Sequence, residues 1–559
     1  MEILQVENLS FRYPDAEKCA LDGVNFSVNS GDFIVICGKS GCGKTTLLKL
    51  LKRELTPFGE CTGSICYMGN QLVALDADIT AGGIGYVFQN PENQIVTDKV
   101  WHELAFGLEN LGLPTEVIRR RVAEMASYFG IQEWFRKNTY ELSGGQKQML
   151  NLASVMIMQP KVLLLDEPTA QLDPIAAADF IATLQKLNQE LGLTVILVEH
   201  RLEEVFPVAD KVMLLEDGNL LFYEHPKKMG EYLRTHMHEM MAGLPSAMRI
   251  FEALSGEGDC PLTVKEGREY ITKQYDNSID RLEIPPYEHK DALALELKNV
   301  WFRYERDLPD VLRGISLKVY EQEIFCILGG NGTGKTTALG VAAGLLKAYR
   351  GDVLVDGRKI AAFKNNELYR HHLAMLPQNP QTVFLQQTVR EDFAEICTAM
   401  GYKKEEREMM ITEIAGKLDI TNLLERHPYD LSGGEQQKAA VAKILLTKPR
   451  ILLLDEPTKG IDAHTKQLLA DILKRLKADG LTVLIVTHDV EFAAANADRC
   501  ALFFDGEVIS VDTPTAFFSG NNFYTTAANR IARGRYHNAV TCEDVVELCR
   551  KNMPTVEEK

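Results

Sequence analysis

The sequence predicts an α/β fold laid down twice along one chain, and three observations carry that expectation. Apolar runs, among them Ile34–Cys37, Val162–Leu165, Ile324–Leu328 and Val483–Val486, have the length of buried strands. Two of them run straight into a glycine-rich loop followed by helical spacing, as in leucines 47, 48, 51 and 55. Separate motifs then recur in the same order at a near-constant offset, the mark of a duplicated domain.

Bulk properties agree. A chain of 559 residues is too long for one core and suits two domains of more than about 200 residues each. Hydrophobic residues make up 45% and charged residues 25%, an ordinary globular balance. The 61 basic residues against 78 acidic ones give a net charge of −17, which argues against nucleic acid as the main partner, because phosphate backbones reward a basic face. No apolar stretch approaches the roughly 18–20 residues of a membrane span. The opening Met1-Glu-Ile-Leu-Gln carries acid where a signal peptide would carry base, so a cytoplasmic location is expected. The eleven cysteines form no CxxC pair and several, such as Cys37 and Cys326, adjoin apolar runs; buried, reduced thiols are expected rather than a metal cluster.

The repeat fixes the domain plan. Gly38, Lys39, Ser40, Gly41, Cys42, Gly43, Lys44, Thr45 and Thr46 recur as Gly329, Gly330, Asn331, Gly332, Thr333, Gly334, Lys335, Thr336 and Thr337. Leu142-Ser-Gly-Gly-Gln146 returns as Leu431-Ser-Gly-Gly-Glu435, and Leu163-Leu-Leu-Asp-Glu-Pro-Thr169 as Leu452-Leu-Leu-Asp-Glu-Pro-Thr458. We expect a first domain over 1–240, an accessory segment over 241–292, a second domain over 293–520 and a C-terminal appendage over 521–559. Gly256, Gly258, Pro261, Pro285 and Pro286 punctuate the segment between the domains, which from Ser246 to Ala292 holds six basic and ten acidic residues. Tyr524-Thr-Thr-Ala-Ala-Asn-Arg530 reads as a short helical appendage.

Strand, glycine loop and helix in that order make a phosphate cradle. The glycines let successive backbone N–H groups turn inward, and the helix N-terminus adds positive potential. Lys44 and Lys335 supply a point charge to the β- and γ-phosphates of ATP, and the hydroxyls of Thr45 and Thr336 suit Mg²⁺. Asp166 and Asp455 end apolar strands at the C-terminal edge of a parallel sheet, where a carboxylate holds the Mg²⁺ shell. The next residues, Glu167 and Glu456, are placed to polarise an attacking water as general bases. A lone histidine after a strand is usually a satisfied polar residue; His200 and His488, at matching places, favour a γ-phosphate contact. Gln89 and Gln378, each followed by Asn-Pro, open polar loops and say little singly.

Taken together, the glycine loop, mid-domain Gln, LSGGQ, acidic strand end and final His resemble the ATP-binding-cassette (ABC) ATPases over nearly the whole chain. The resemblance implies two P-loop NTPase domains, each with a mixed, mostly parallel sheet and a helical subdomain. It implies that the domains close head-to-tail, each ATP lying between the P-loop of one and the LSGGQ of the other. One site would join Lys44, Thr45, Gln89, Asp166, Glu167 and His200 to Ser432, Gly433, Gly434 and Glu435. The other would join Lys335, Thr336, Gln378, Asp455, Glu456 and His488 to Ser143, Gly144, Gly145 and Gln146. Gln89 and Gln378 would then also serve the metal, and Tyr13 and Tyr304, each 25 residues before the first loop glycine, match the family's adenine-stacking aromatic. The loops Ala170-Gln-Leu-Asp173 and Lys459-Gly-Ile-Asp462 depart from the frequent Ser-Ala-Leu-Asp, so the two sites need not be equivalent, although both keep Lys, Glu and His and are expected to hydrolyse ATP.

Three kinds of ABC ATPase compete. DNA-repair and chromosome-organising members resemble chains with long insertions, and none fits between Gln89 and Ser143. Ribosome-associated tandem members usually carry a basic helical linker or an N-terminal cysteine cluster, whereas this linker is acidic. The energising subunit of an importer remains. Val87-Phe-Gln-Asn-Pro-Glu-Asn-Gln-Ile-Val96 and Glu103-Leu-Ala-Phe-Gly-Leu-Glu-Asn-Leu-Gly-Leu-Pro114 look like the energy-coupling factor (ECF) importers of vitamins and metals, with sugar-importer ATPases as the alternative. Leu244-Pro-Ser-Ala-Met-Arg-Ile and Phe523-Tyr-Thr-Thr-Ala-Ala-Asn-Arg-Ile-Ala-Arg533 resemble fused ECF ATPases, including those tied to cobalt or thiamine-precursor uptake. That resemblance implies a transmembrane coupling subunit and a membrane-embedded solute-binding subunit as partners, and a place on the inner face of the cell membrane.

Overall fold

The computed structural model describes residues 1–14, 16–284, 286–364 and 366–553; Pro285 and the last residues of the appendage lie outside the described residues. The chain divides into two compact units, Met1–Glu252 with Glu257–Thr263, and Ala253–Gly256 with Val264–Lys559.

The first unit contains β1 (Glu2–Arg12), β2 (Leu21–Asn29), β3 (Phe33–Cys37), β4 (Glu60–Tyr67), β5 (Asn70–Gln71), β6 (Ile84–Val87), β7 (Val162–Asp166), β8 (Thr194–Val198), β9 (Lys211–Glu216) and β10 (Asn219–Glu224). Six of them form one sheet in the order β10-β9-β3-β8-β7-β6, parallel except for β10 at its edge. The strands β3, β7 and β8 are buried along their whole length, which is why they read as unbroken apolar runs rather than alternating ones. An antiparallel sheet, β2-β1-β4-β5, packs its Leu4, Val6, Leu9 and Phe11 into the same core as Ile34, Ile36, Leu164 and Val198. A separate helical part, Val100–Asn110, Thr115–Tyr128 and Gly144–Met156, closes around Leu104, Leu108, Ile131 and Leu150.

The second unit repeats this plan strand for strand: β11 (Leu293–Phe302), β12 (Leu312–Tyr320), β13 (Ile324–Leu328), β14 (Arg350–Val355), β15 (Arg358–Lys359), β16 (Leu373–Leu376), β17 (Ile451–Asp455), β18 (Thr482–Thr487), β19 (Arg499–Phe504) and β20 (Glu507–Asp512). Its sheets run β16-β17-β18-β13-β19-β20 and β12-β11-β14-β15, the same topology read from the opposite edge. Helices Val389–Ala399, Lys404–Lys417 and Gly433–Leu445 supply its helical part.

One local expectation needs correction. The helix after Lys44 covers only Lys44–Leu50, and Leu55 belongs to a separate 3₁₀ turn, Arg53–Leu55. Lys52 leaves the helical region because its ammonium donates to the carbonyls of Thr80 (3.0 Å) and Ile84 (2.6 Å), a better use of a buried charge than another helical turn.

The accessory segment and the C-terminal appendage, distant in sequence, fold together within the second unit. Helix Val264–Gln274 packs on Ala527–Ala532, which in turn packs on Cys542–Lys551. The Asn552 side chain accepts from the Ile279 amide (2.9 Å) and donates to its carbonyl (2.8 Å), and Asn538 does the same for Leu282, both at 2.8 Å. These amides act as substitute strand partners for a segment that has no sheet. Removing such a bond costs about 1–3 kcal/mol when the group left behind is buried. We therefore expect Asn552→Ala to loosen residues 276–282, with trypsin cleavage after the exposed Arg281 accelerated about fivefold, as that penalty implies; time-resolved limited proteolysis read by mass spectrometry checks it.

Candidate functional site

Each unit gathers its candidate residues at the C-terminal edge of its parallel sheet. In the first, β3 runs into Gly38, whose φ of 146° places a hypothetical Cβ 2.2 Å from the Leu215 carbonyl oxygen, so only glycine fits. Gly43 and Gly334 stand in the left-handed region (φ 104° and 102°) immediately before the two loop helices and turn the chain into them. Lys44 Nζ donates to the carbonyls of Gly38 (2.9 Å) and Lys39 (2.7 Å), and Lys335 Nζ to those of Gly329 (2.9 Å) and Gly330 (2.7 Å). Each ammonium thus lies curled over its own loop, where arriving phosphate oxygens exchange for carbonyls as partners.

The strand-end carboxylates sit beside these loops. Thr45 Oγ1 donates to Asp166 Oδ1 (3.0 Å), and Thr336 Oγ1 to Asp455 Oδ1 (3.1 Å). A hydroxyl and a carboxylate at that spacing are hard oxygen donors of the kind Mg²⁺ takes, so both pairs fit the ion. Burial, then the charge of Glu167, pushes Asp166 up to about 6; burial also raises Asp455 to about 6, against the bond from Thr336. Carboxylates raised by desolvation are primed to release a proton when a cation arrives.

Glu167 and Glu456, one residue on, carry φ of 44° and 49°. A non-glycine residue held there costs about 1–3 kcal/mol, a strain that recurs at functional sites. The turn swings each carboxylate off the strand towards the following His. Glu167 is held at both oxygens, by Gln89 Nε2 (2.7 Å) and His200 Nε2 (2.8 Å). Glu456 pairs with His488 Nδ1 (2.8 Å) and accepts from the His488 backbone amide (3.2 Å). Burial works against it, but the His488 bond and charge hold Glu456 below the ordinary carboxylate range. Gln378 is exposed and is not brought to Glu456. Sequence symmetry therefore masks two different arrangements.

The remaining candidates fall as follows. Ser143 and Ser432 cap the helices Gly144–Met156 and Gly433–Leu445 in capping boxes with Gln146 and Glu435, leaving helix N-termini lined by small residues. The Ser432 hydroxyl also donates to Glu435 Oε2 (2.8 Å), so a carboxylate occupies the second of these termini. A Cβ on Gly434 would lie 2.7 Å from Thr465 Cγ2, which accounts for a glycine there. Tyr13 and Tyr304 reach Thr46 and Thr337 through their hydroxyls (3.0 and 3.1 Å), leaving their ring faces beside the loops. Tyr304 lines a cavity of about 300 Å³ with Val311, Gly332, Thr333 and Asp505. The Lys39 side chain turns away from the cradle to Glu239 (2.6 Å) and Glu216 (3.3 Å). Two partners were not anticipated. The Tyr86 hydroxyl donates to Asp166 Oδ2 (3.2 Å), where the second unit has Met375, and buried Glu199, preceding His200, holds Thr169. An acid ending an apolar strand at Glu199, as at Asp166, was the available signal; a tyrosine within a strand gives none.

Comparison with known proteins finds relatives over nearly the whole chain. A family profile described as ABC transporter matches residues 21–170 and 312–459. A Bacillus thuringiensis subsp. konkukian protein provisionally named an ABC transporter ATP-binding protein is 42% identical over 98% of each chain. A similarly named Methanosarcina acetivorans protein is 31% identical over 92% of this chain and 86% of its own. Among solved structures, cbiO1 of Clostridium perfringens, part of the ABC transporter complex cbiONQ, is 26% identical over 41% of this chain and 92% of its own, with a TM-score of 0.39.

Because Asp166 and Asp455 must be ionised to hold a divalent cation and both are raised to about 6, cation-dependent nucleotide binding is expected to weaken as pH falls through that value. One proton per site makes binding of a manganese–nucleotide complex about tenfold weaker at pH 5 than at pH 7.5, measurable by titration calorimetry, with metal-free nucleotide much less affected.

Proposed function

The chain belongs to the ABC transporter family as a tandem of two ATP-hydrolysing cassettes, and from that premise we propose that it is the energy-coupling subunit of an ECF-type importer for a vitamin, vitamin precursor or metal ion. In this reading each ATP, with Mg²⁺, is bound by the loop, strand-end Asp and His of one cassette and by the Ser-Gly-Gly of the other. Glu167 and Glu456 draw a proton from the attacking water. ATP drives closure because it binds the closed state better than the open one, and hydrolysis removes that difference.

One matched feature carries the proposal of a membrane partner. After each Gln, a loop exposes an apolar tip at the corresponding position: Val96 is 68% exposed and Leu385 75%. Neither tip is loose. The buried Glu103 accepts from the amides of Val96 (3.1 Å) and Thr97 (2.8 Å), and the buried Asp392 accepts from Leu385 (2.9 Å) while paired with Lys443 (2.6 Å). A buried carboxylate spent on holding an apolar side chain out in water makes sense when something covers that side chain. Helices of a transmembrane coupling subunit fit there, the chain itself lying on the inner face of the membrane; solute choice falls to a separate membrane-embedded subunit. Among the described residues, no helix is long and apolar enough to cross a membrane.

Glu167→Gln and Glu456→Gln, made separately, are each expected to lower steady-state ATP turnover, and the double variant to lower it about a hundredfold or more, the usual scale for loss of a general base; a variant with turnover unchanged would show that its cassette does not contribute. Purification from the native membrane should bring down polytopic proteins identifiable by mass spectrometry. Recovery with ribosomes, or with a sugar-importer membrane pair, would replace the ECF reading.

A further inference from the structure

The two cassettes keep the same catalytic residue types yet differ in how the catalytic carboxylate is held, and the difference traces to one residue. In the first cassette β8 is followed by Glu199 and then His200; in the second, Thr487 stands in the place of Glu199 and precedes His488. Glu199 is almost completely buried. Its Oε1 accepts from the Thr169 amide (3.1 Å) and hydroxyl (2.5 Å), and its Oε2 from the His200 amide (3.1 Å). Thr487 Oγ1 instead accepts from the Asp489 amide (3.0 Å) and is too short to span to the loop after β17. The His488 amide then bonds the catalytic carboxylate itself, Glu456 Oε2, at 3.2 Å.

A backbone amide is a strong, obligatory donor, and whichever carboxylate takes it is drawn inward. In the second cassette that carboxylate is the catalytic one: the Glu456 side chain is 6% exposed and engages Nδ1 of the ring. In the first, Glu199 takes the amide, and the Glu167 side chain, 12% exposed, is held by the far ring nitrogen Nε2 of His200 and by Gln89. We propose that Glu199 is a positioning residue: by taking the His200 amide it keeps Glu167 facing the water side of its site, so that the first cassette hydrolyses ATP faster than the second. A chain of bonds then runs Thr169–Glu199–His200–Glu167–Gln89, tying the loop before Asp173 to the exposed loop that opens with Gln89. Its counterpart stops at Glu456. The inference rests on Glu167 and Glu456 being the general bases, which their own Gln variants test separately.

The experiment uses the full chain. Glu199→Thr, which copies the second cassette, is expected to lower kcat about fivefold while the KM for ATP stays within twofold. Glu199→Gln should do the same, because an amide oxygen can keep Thr169 while its NH₂ faces the His200 N–H. Thr487→Glu is the reverse exchange and should raise kcat. Unchanged kcat in both Glu199 variants overturns the proposal, as does a fall in kcat matched by an equal loss of ATP affinity, which would make Glu199 a purely structural acid. If the Glu199 variants do not fold, Thr487→Glu decides: a higher kcat at unchanged KM supports the positioning role, and an unchanged or lower kcat ends it.

Discussion

The constraint on which the rest depends is the placement of two consecutive carboxylates at the dry end of a parallel sheet. Asp166 and Asp455 finish strands with no solvent on either face, and the glutamates follow through a left-handed turn. An acid pair so placed repels itself and lacks water, so it needs nearby partners. The neighbours supply them: a threonine hydroxyl from the phosphate-loop helix, a histidine from the next strand, and in one cassette a tyrosine from the strand beyond. The sheet order puts β3, β8 and β7 side by side, so all three strand ends deliver their groups to the same edge without a long excursion of the chain.

Much of this was legible before any coordinates. Strands ending in Asp166 and Asp455, the glycine loops and the duplication all rest on local patterns that burial enforces, and both cassettes fold as those patterns dictate. The helix after Lys44 ends sooner than its leucine spacing predicts, because Lys52 turns to bond carbonyls of another segment. The distinct settings of Glu167 and Glu456 were out of reach for a similar reason. They depend on which of two acids takes one backbone amide, a competition in space between residues more than thirty positions apart. Tyr86 is hidden likewise: inside an apolar strand its hydroxyl looks like bulk, and only the pairing of β6 with β7 brings it to Asp166.

The helical parts show the same economy with charge. Glu103 and Asp392 occupy matching places and hold matching loops, but Asp392 gains a buried cation, Lys443, from the helix that Ser432 caps, where the first cassette has Ser154. The second cassette therefore links the helix capped by Ser432 to its loop through a buried ion pair, and the first through the solvent-facing pair of Lys147 with Glu92 and neutral bonds such as Asn151 Nδ2 to the Pro91 carbonyl (3.2 Å). Breaking a buried pair by removing one partner typically costs about 3–5 kcal/mol, against about 1–3 for a neutral bond, so the second loop is the stiffer of the two.

The side chains of Asn552 and Asn538, clasping the backbone at Ile279 and Leu282, have a topological meaning. They fasten the chain just before β11 to the chain well after β20, so the second cassette is a ring sealed by amide clasps rather than by a covalent crosslink. Closing a loop of this span costs roughly 5 kcal/mol in chain entropy, and that cost has been met by the helices around the clasp. Cutting the chain before Asn538 would therefore unbuckle the ring at the point where the polypeptide enters its second half.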